Sequence, residues 1–182
     1  MEQGVKVGTL SRVKHRLTGW RGRLVRMRHF RGHGVHSPFV YAIVRQVLMR
    51  RTLLGADTSL RDALLRAGVG MRRATELQNL MTHCGYRTFA LAACAAEAAE
   101  AAEAAGELVV LLRGCGGEAT VRAVRAAALR GATAVVAEPR ADAARERMCR
   151  MLVAEHPTTT VDMRTALLLF NNGHLPKQHF EL

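Results

Sequence analysis

The sequence predicts an α/β protein: a mainly parallel sheet preceded by helices. Two observations carry this. From residue 88 onward, short apolar runs alternate with helical stretches, the order that builds βαβ units. Before that point the apolar residues recur only at helical spacing. At 182 residues, the chain is long enough for one sizeable core, so a single domain is expected behind its N-terminal arm.

Charge defines the arm. Residues 1–51 hold 12 Lys/Arg against one acid, Glu2, whereas residues 52–182 hold 15 basic and 14 acidic residues. Nearly all of the net +12 therefore sits in the first quarter of the chain. Such asymmetry points to an anionic partner: nucleic acid, an anionic membrane surface or an acidic protein. Leu10, Val13, Leu17, Trp20, Leu24 and Met27 fall on one helical stripe. Arg12, Lys14, Arg16, Arg21, Arg23, Arg26 and Arg28 fill the other faces and are the candidate anion-binding residues. The helix could lie along phosphates, lie in a headgroup layer with Trp20 as anchor, or dock its stripe on the chain's own core. Gly19 and Gly22 weaken it, each by about 1 kcal/mol against Ala. The expected organisation is an arm at 1–31 and an α/β domain at 32–182 with a helical lead-in at 38–84.

The elements follow in order. Ser37 suits an N-cap and Pro38 the first helical position, with Val40, Ile43, Val44, Val47 and Leu48 forming the apolar face. His33 and His36 sit in the loop before it. No third ligand is near, so no metal site is expected. Helices are expected at 59–66 and 71–83, joined by the turn Arg66–Gly70, with Arg72, Arg73 and Glu76 exposed. Thr88–Ala92 reads as a buried strand. An Ala-rich helix follows, with Glu97, Glu100 and Glu103 on one side and Gly106 as its cap. Leu108–Leu112 is a second strand, 113–120 a Gly-rich turn, 119–130 a helix ending at Gly131, and Thr133–Ala137 a third strand. A helix at 140–155 turns Met148, Met151 and Leu152 inward. Thr158–Met163 and Thr165–Phe170 form an antiparallel pair. Cys84, Cys94, Cys115 and Cys149 match no zinc spacing and read as reduced thiols.

Ligands of such sheets bind beyond the C-terminal strand ends, here Ala92–Ala96, Leu112–Glu118 and Glu138–Asp142. Only the second turn has glycines that let a ligand approach the backbone. Gly114, Gly116 and Gly117 stand beside Arg113, Cys115 and Glu118. The tract lacks the Lys-Ser/Thr ending of a P-loop, and either a tight turn or a binding loop would use Gly here. The third turn offers Glu138, Arg140 and Asp142, the last also a helix cap. No catalytic residue stands out.

HGVHSPFVY at 33–41, followed by a helix, resembles the N-terminal signature of a group of class I S-adenosylmethionine-dependent methyltransferases from Bacteroidetes. TTTVDMRTALLLF and LPKQHF resemble that family's final hairpin and ending, ELVVLLRGCGGEATVRAV its fourth strand and next helix, and TAVVAEPR its fifth strand. The resemblance spans most of residues 30–182. It implies a Rossmann-like sheet, S-adenosylmethionine as cofactor, and Gly114, Gly116, Gly117, Glu118 and Glu138 as cofactor-binding candidates. The chain also departs from the family. Ala92–Ala96 replaces the acidic-x-Gly-x-x-x-Gly loop after the first strand. Leu112–Cys115 replaces an Asp-Gly-x-His motif. Of an Asp-Asp-Ile-His motif only an acid, Glu138, is kept. Strands two and three have no counterpart, which leaves about five strands in the order 1-4-5-7-6.

Three functional classes remain open: a catalytically impaired methyltransferase-like protein, a transferase with an atypical site around Gly114–Glu118, and a basic module that binds RNA or anionic lipid through the arm. The methyl acceptor is not legible. The first strand, left at an edge, is a candidate for pairing with a second copy. Without a secretory signal or a spanning segment, the chain is expected in the cytoplasm, with the arm able to place it at a membrane surface.

Overall fold

The structure is a computed structural model that describes residues 37–104, 106–171 and 173–182. The arm at 1–31 and the loop histidines His33 and His36 lie outside the described residues.

Helix α1 (Pro38–Ile43) starts as expected, the Ser37 hydroxyl accepting from the Val40 amide at 3.4 Å. It runs into a π-helical turn over Val44–Leu48. Then come α2 (Ser59–Arg66) and α3 (Met71–Cys84), the latter closed by Gly85 in the left-handed region. The sheet part alternates β1 (Phe89–Ala92), α4 (Ala95–Glu103), β2 (Leu108–Leu111), α5 (Gly117–Leu129), β3 (Thr133–Ala137) and α6 (Ala143–Glu155). It ends with β4 (Thr160–Asp162), β5 (Ala166–Leu169) and β6 (His179–Glu181).

The sheet is mixed and six-stranded, in the order β1-β2-β3-β5-β4-β6. Neighbours β1, β2 and β3 pair in parallel, and β5 is antiparallel to both β3 and β4. The expectation of about five strands misses β6, which adds in parallel to β4. Its three residues, His179, Phe180 and Glu181, are too few and too mixed in polarity to show a period. Their strand character comes from pairing with Thr160–Asp162.

Two apolar layers flank the sheet. On one face Leu108, Val110, Val135, Val161, Leu168 and Phe170 meet Val40, Ile43, Leu60, Leu64, Leu77 and Leu80 of α1–α3. Phe39 meets Phe170 edge to face, centroids 4.9 Å apart. On the other face Val109, Leu111, Val136 and Leu169 meet Ala98, Ala101, Ala123, Val124, Met148 and Leu152 of α4–α6. Strands β2, β3 and β5 thus bury both faces, which is why they read as unbroken apolar runs, whereas β1, expected to be buried, keeps Phe89, Ala90 and Leu91 half-buried at the end of the sheet. Because β1, β2 and β3 lie side by side in chain order, right-handed crossovers put α4 and α5 on one face. The helical lead-in must cover the other.

Several local expectations are corrected. Gly106 is not the cap of α4, which ends at Glu103 with Ala104 as C-cap. Gly106 instead lies so close to β1 that a Cβ would sit 2.9 Å from the Ala90 amide nitrogen. Met151 faces outward, 44% exposed, and Arg145 takes an inward place with Met148, Cys149 and Leu152. Glu76 was expected at the surface, yet it is 4% exposed. The first turn of α3 lies near the β4–β5 hairpin, where Arg73 donates to the Thr165 hydroxyl. Glu76 is buried there between Arg72 and Arg73, at 3.0 and 2.6 Å.

Candidate functional site

Each predicted site turn sits where a parallel strand ends, so β1, β2 and β3 deliver them to one end of the sheet. What the turns do there is bond to one another.

Gly114 follows β2. A Cβ at this position would lie 2.1 Å from the Ala93 carbonyl oxygen, so the turn after β2 is pressed against the turn after β1. Cys115 seals the contact from beneath. Its thiol is buried and donates to the Ala92 and Cys94 carbonyls at 3.2 and 3.4 Å. Burial raises its pKa, which keeps it a thiol and a donor. The Ala93 amide, which in a ligand loop would point at the ligand, is taken by the Glu97 carboxylate of α4 at 2.5 Å. This is a variant of the reciprocal capping that closes helix N-termini, aided by the helix dipole.

Arg145 fills the space between the ends of β2 and β3. It is 7% exposed. Its Nε and Nη2 donate to the Ala137 carbonyl at 3.1 and 2.8 Å, Nη1 to Cys115 at 3.1 Å and Nη2 to Leu112 at 3.3 Å. A buried guanidinium needs such a full set of acceptors. Here backbone carbonyls supply it. Asp142 positions this arginine by capping α6, accepting from the Arg145 amide at 2.8 Å. Sequence reasoning missed Arg145. The signal was its spacing, one and two turns before Met148, Cys149 and Leu152, which puts a cation on an apolar stripe.

The remaining candidates do not converge. Gly116 is the N-cap of α5 with open space where a Cβ would go, and a Cβ on Gly117 would meet the Met148 sulfur at 4.0 Å. Glu118 turns to Arg122 of its own helix at 3.7 Å, and Glu138 turns to Arg113 at 3.6 Å. All four of these charged side chains are more than half exposed. Arg140 is bound to Asp162 of β4 at 2.7 Å.

Among the described residues, no cluster of His, Cys, Asp and Glu could hold a metal ion, and no helix is long and apolar enough to cross a membrane. The four cysteines are free, and burial pushes the Cys84 and Cys149 thiols up to about 11. Comparison with protein-family models, curated proteins and solved structures returned no match.

Proposed function

We propose that this chain is a catalytically silent, methyltransferase-like scaffold whose work is to bind a polyanion through its basic N-terminal arm. The observation that carries the reading is the closed end of the sheet. In open α/β sheets a ligand enters where neighbouring crossovers leave for opposite faces and their turns part. Here β1, β2 and β3 run in chain order, α4–α6 all cover one face, and the turns close on each other through Gly114, Cys115 and Arg145. The resemblance nominates S-adenosylmethionine, but these residues do not fit it. There is no glycine cradle after β1, no paired acid for a ribose, and the Ala93 amide is already bonded. Strand order supports the same reading, since β1-β2-β3-β5-β4 matches the order 1-4-5-7-6 expected of a sheet without the family's second and third strands. Such a sheet would lack the reversal that opens the cofactor crevice.

The arm supplies the partner's chemistry. Twelve basic residues against one acid in residues 1–51 suit phosphate-bearing surfaces, nucleic acid or anionic lipid, at the periphery of a membrane or in the cytoplasm. Two measurements test the reading. Calorimetry with S-adenosylmethionine should give no binding heat. Micromolar binding that Gly116→Val abolishes would restore a transferase. Polyanion binding should weaken steeply between 50 and 200 mM salt (about a thousandfold or more for six phosphate contacts) and disappear when residues 1–31 are deleted. Salt-insensitive binding would overturn the polyanion reading.

A further inference from the structure

Between the end of the π-helical turn and the start of α3 lies a cleft of about 490 Å³, within the range of ligand-sized sites, about 300–1,000 Å³. Its walls mix two chemistries. Arg50, Arg51 and Arg72 line it, as do Met49 and Met71. These methionines are 43% and 60% exposed and belong to the few large apolar side chains turned to solvent among the described residues. A second hollow of about 340 Å³ shares Leu48 and Arg72 and adds Arg73. The one acidic side chain in either wall is Glu76, buried and already paired with Arg72 and Arg73. Arg50, Arg51 and the outer part of Arg72 therefore present unopposed positive charge around an apolar floor.

We infer that this cleft seats a nucleotide unit of single-stranded nucleic acid, its base against Met49 and Met71 and its flanking phosphates on Arg50, Arg51 and Arg72. The inference rests on the polyanion reading and names the partner. Its shape favours a strand over a bilayer, because a lipid surface is met by protruding apolar side chains, whereas these line a hollow. Single-strand sites combine a basic groove with a platform that packs an unstacked base, commonly an aromatic side chain; here the polarizable thioethers of Met49 and Met71 take that place, sulfur packing favourably against an aromatic ring. Charge disfavours the chain's own arm as the occupant, since residues 1–36 hold nine Lys/Arg and one acid.

The test uses the full chain, a fluorescein-labelled 15-nucleotide oligouridine and, separately, vesicles containing phosphatidylserine. Arg50→Gln/Arg51→Gln should lower oligouridine affinity on the order of tenfold and flatten the slope of log K against log[salt] by about 1.4, two phosphate contacts' worth. Met71→Ser should lower affinity severalfold with the slope unchanged, because it removes no charge. Thermal melts by circular dichroism confirm that these surface variants stay folded. A 4-thiouridine strand should cross-link to peptides bearing Met49 or Met71. Full affinity in Arg50→Gln/Arg51→Gln, with binding lost on deleting 1–31, overturns the cleft and leaves the arm reading standing. Binding to vesicles but not to oligouridine does the same. Binding to neither removes both.

Discussion

At the residue scale, a few side chains hold the end of the sheet shut, and each makes a measurable claim. Gly114 tolerates no Cβ, because the atom would meet the Ala93 carbonyl oxygen at 2.1 Å. Gly114→Ala should cost about 1–3 kcal/mol or more in denaturant unfolding through backbone displacement. Arg145→Met should cost about 3 kcal/mol, since it strips acceptor-bound donors from buried carbonyls of Leu112, Cys115 and Ala137. Arg145→Lys should recover only part, one ammonium being unable to span three carbonyls that a planar fork reaches. His156 makes a pH claim. It is buried beside the Phe170 carbonyl, 2.8 Å from Nε2, and burial lowers its pKa below the usual 6.5. The folded state thus prefers neutral imidazole and the unfolded chain takes up the proton more readily. Stability from this group is complete above about pH 6.5 and falls as pH drops below it, by at most about 1.4 kcal/mol per pH unit. Urea midpoints from pH 7.5 to 5.5 should show the decline, and His156→Gln should flatten it.

At the element scale, α3 and α4 are opposites. Helix α3 is buried along most of its length and carries polar residues inward for a purpose. Gln78 accepts from the Arg61 amide at 3.0 Å and donates to Asp57 at 3.1 Å; Asn79 accepts from the Leu54 amide at 2.9 Å and donates to the Thr52 carbonyl at 3.0 Å. These bonds tie the long connection between α1 and α2, and the first turn of α2, to the helix. Asn79→Leu should leave two backbone groups without partners and destabilise by about 2 kcal/mol. Helix α4 is stitched from Ala and Glu, and its buried Ala98 and Ala101 let it lie close to α5. Ala98→Leu has no room and should cost about 1–3 kcal/mol by thermal or urea unfolding. Some helix starts and the apolar strand runs were readable in the sequence because they depend on neighbours along the chain: Ser37-Pro38 starts α1, Asp142 caps α6, and β2 and β3 are continuous apolar runs. Strand β6 was not readable, and neither was the burial of Glu76. Both depend on partners about 20 to 90 residues away in the chain.

At the scale of the whole molecule, strand order governs everything else. Three parallel strands in chain order send their crossovers to one face, so the lead-in helices are a structural layer and not an appendage. Deleting residues 37–84 should expose the face built on Val110, Val135 and Leu168 and give an aggregating chain. β1 stands at one end of the sheet. If a second copy adds there, sedimentation will give a dimer mass that Leu91→Pro reduces to a monomer, since an edge strand pairs through its free backbone groups.

By itself the sequence determined the α/β class, the start and type of most elements and the charged arm. All of these are written in local order, in periodicity, caps and charge. Only the tertiary structure decided that the glycine-rich turn after β2 closes on the chain itself, that Arg145 is its buried pin, and that Arg50, Arg51 and Arg72 share a cleft with Met49 and Met71. Each of those facts is a contact between segments distant along the chain, and folding alone brings them within reach.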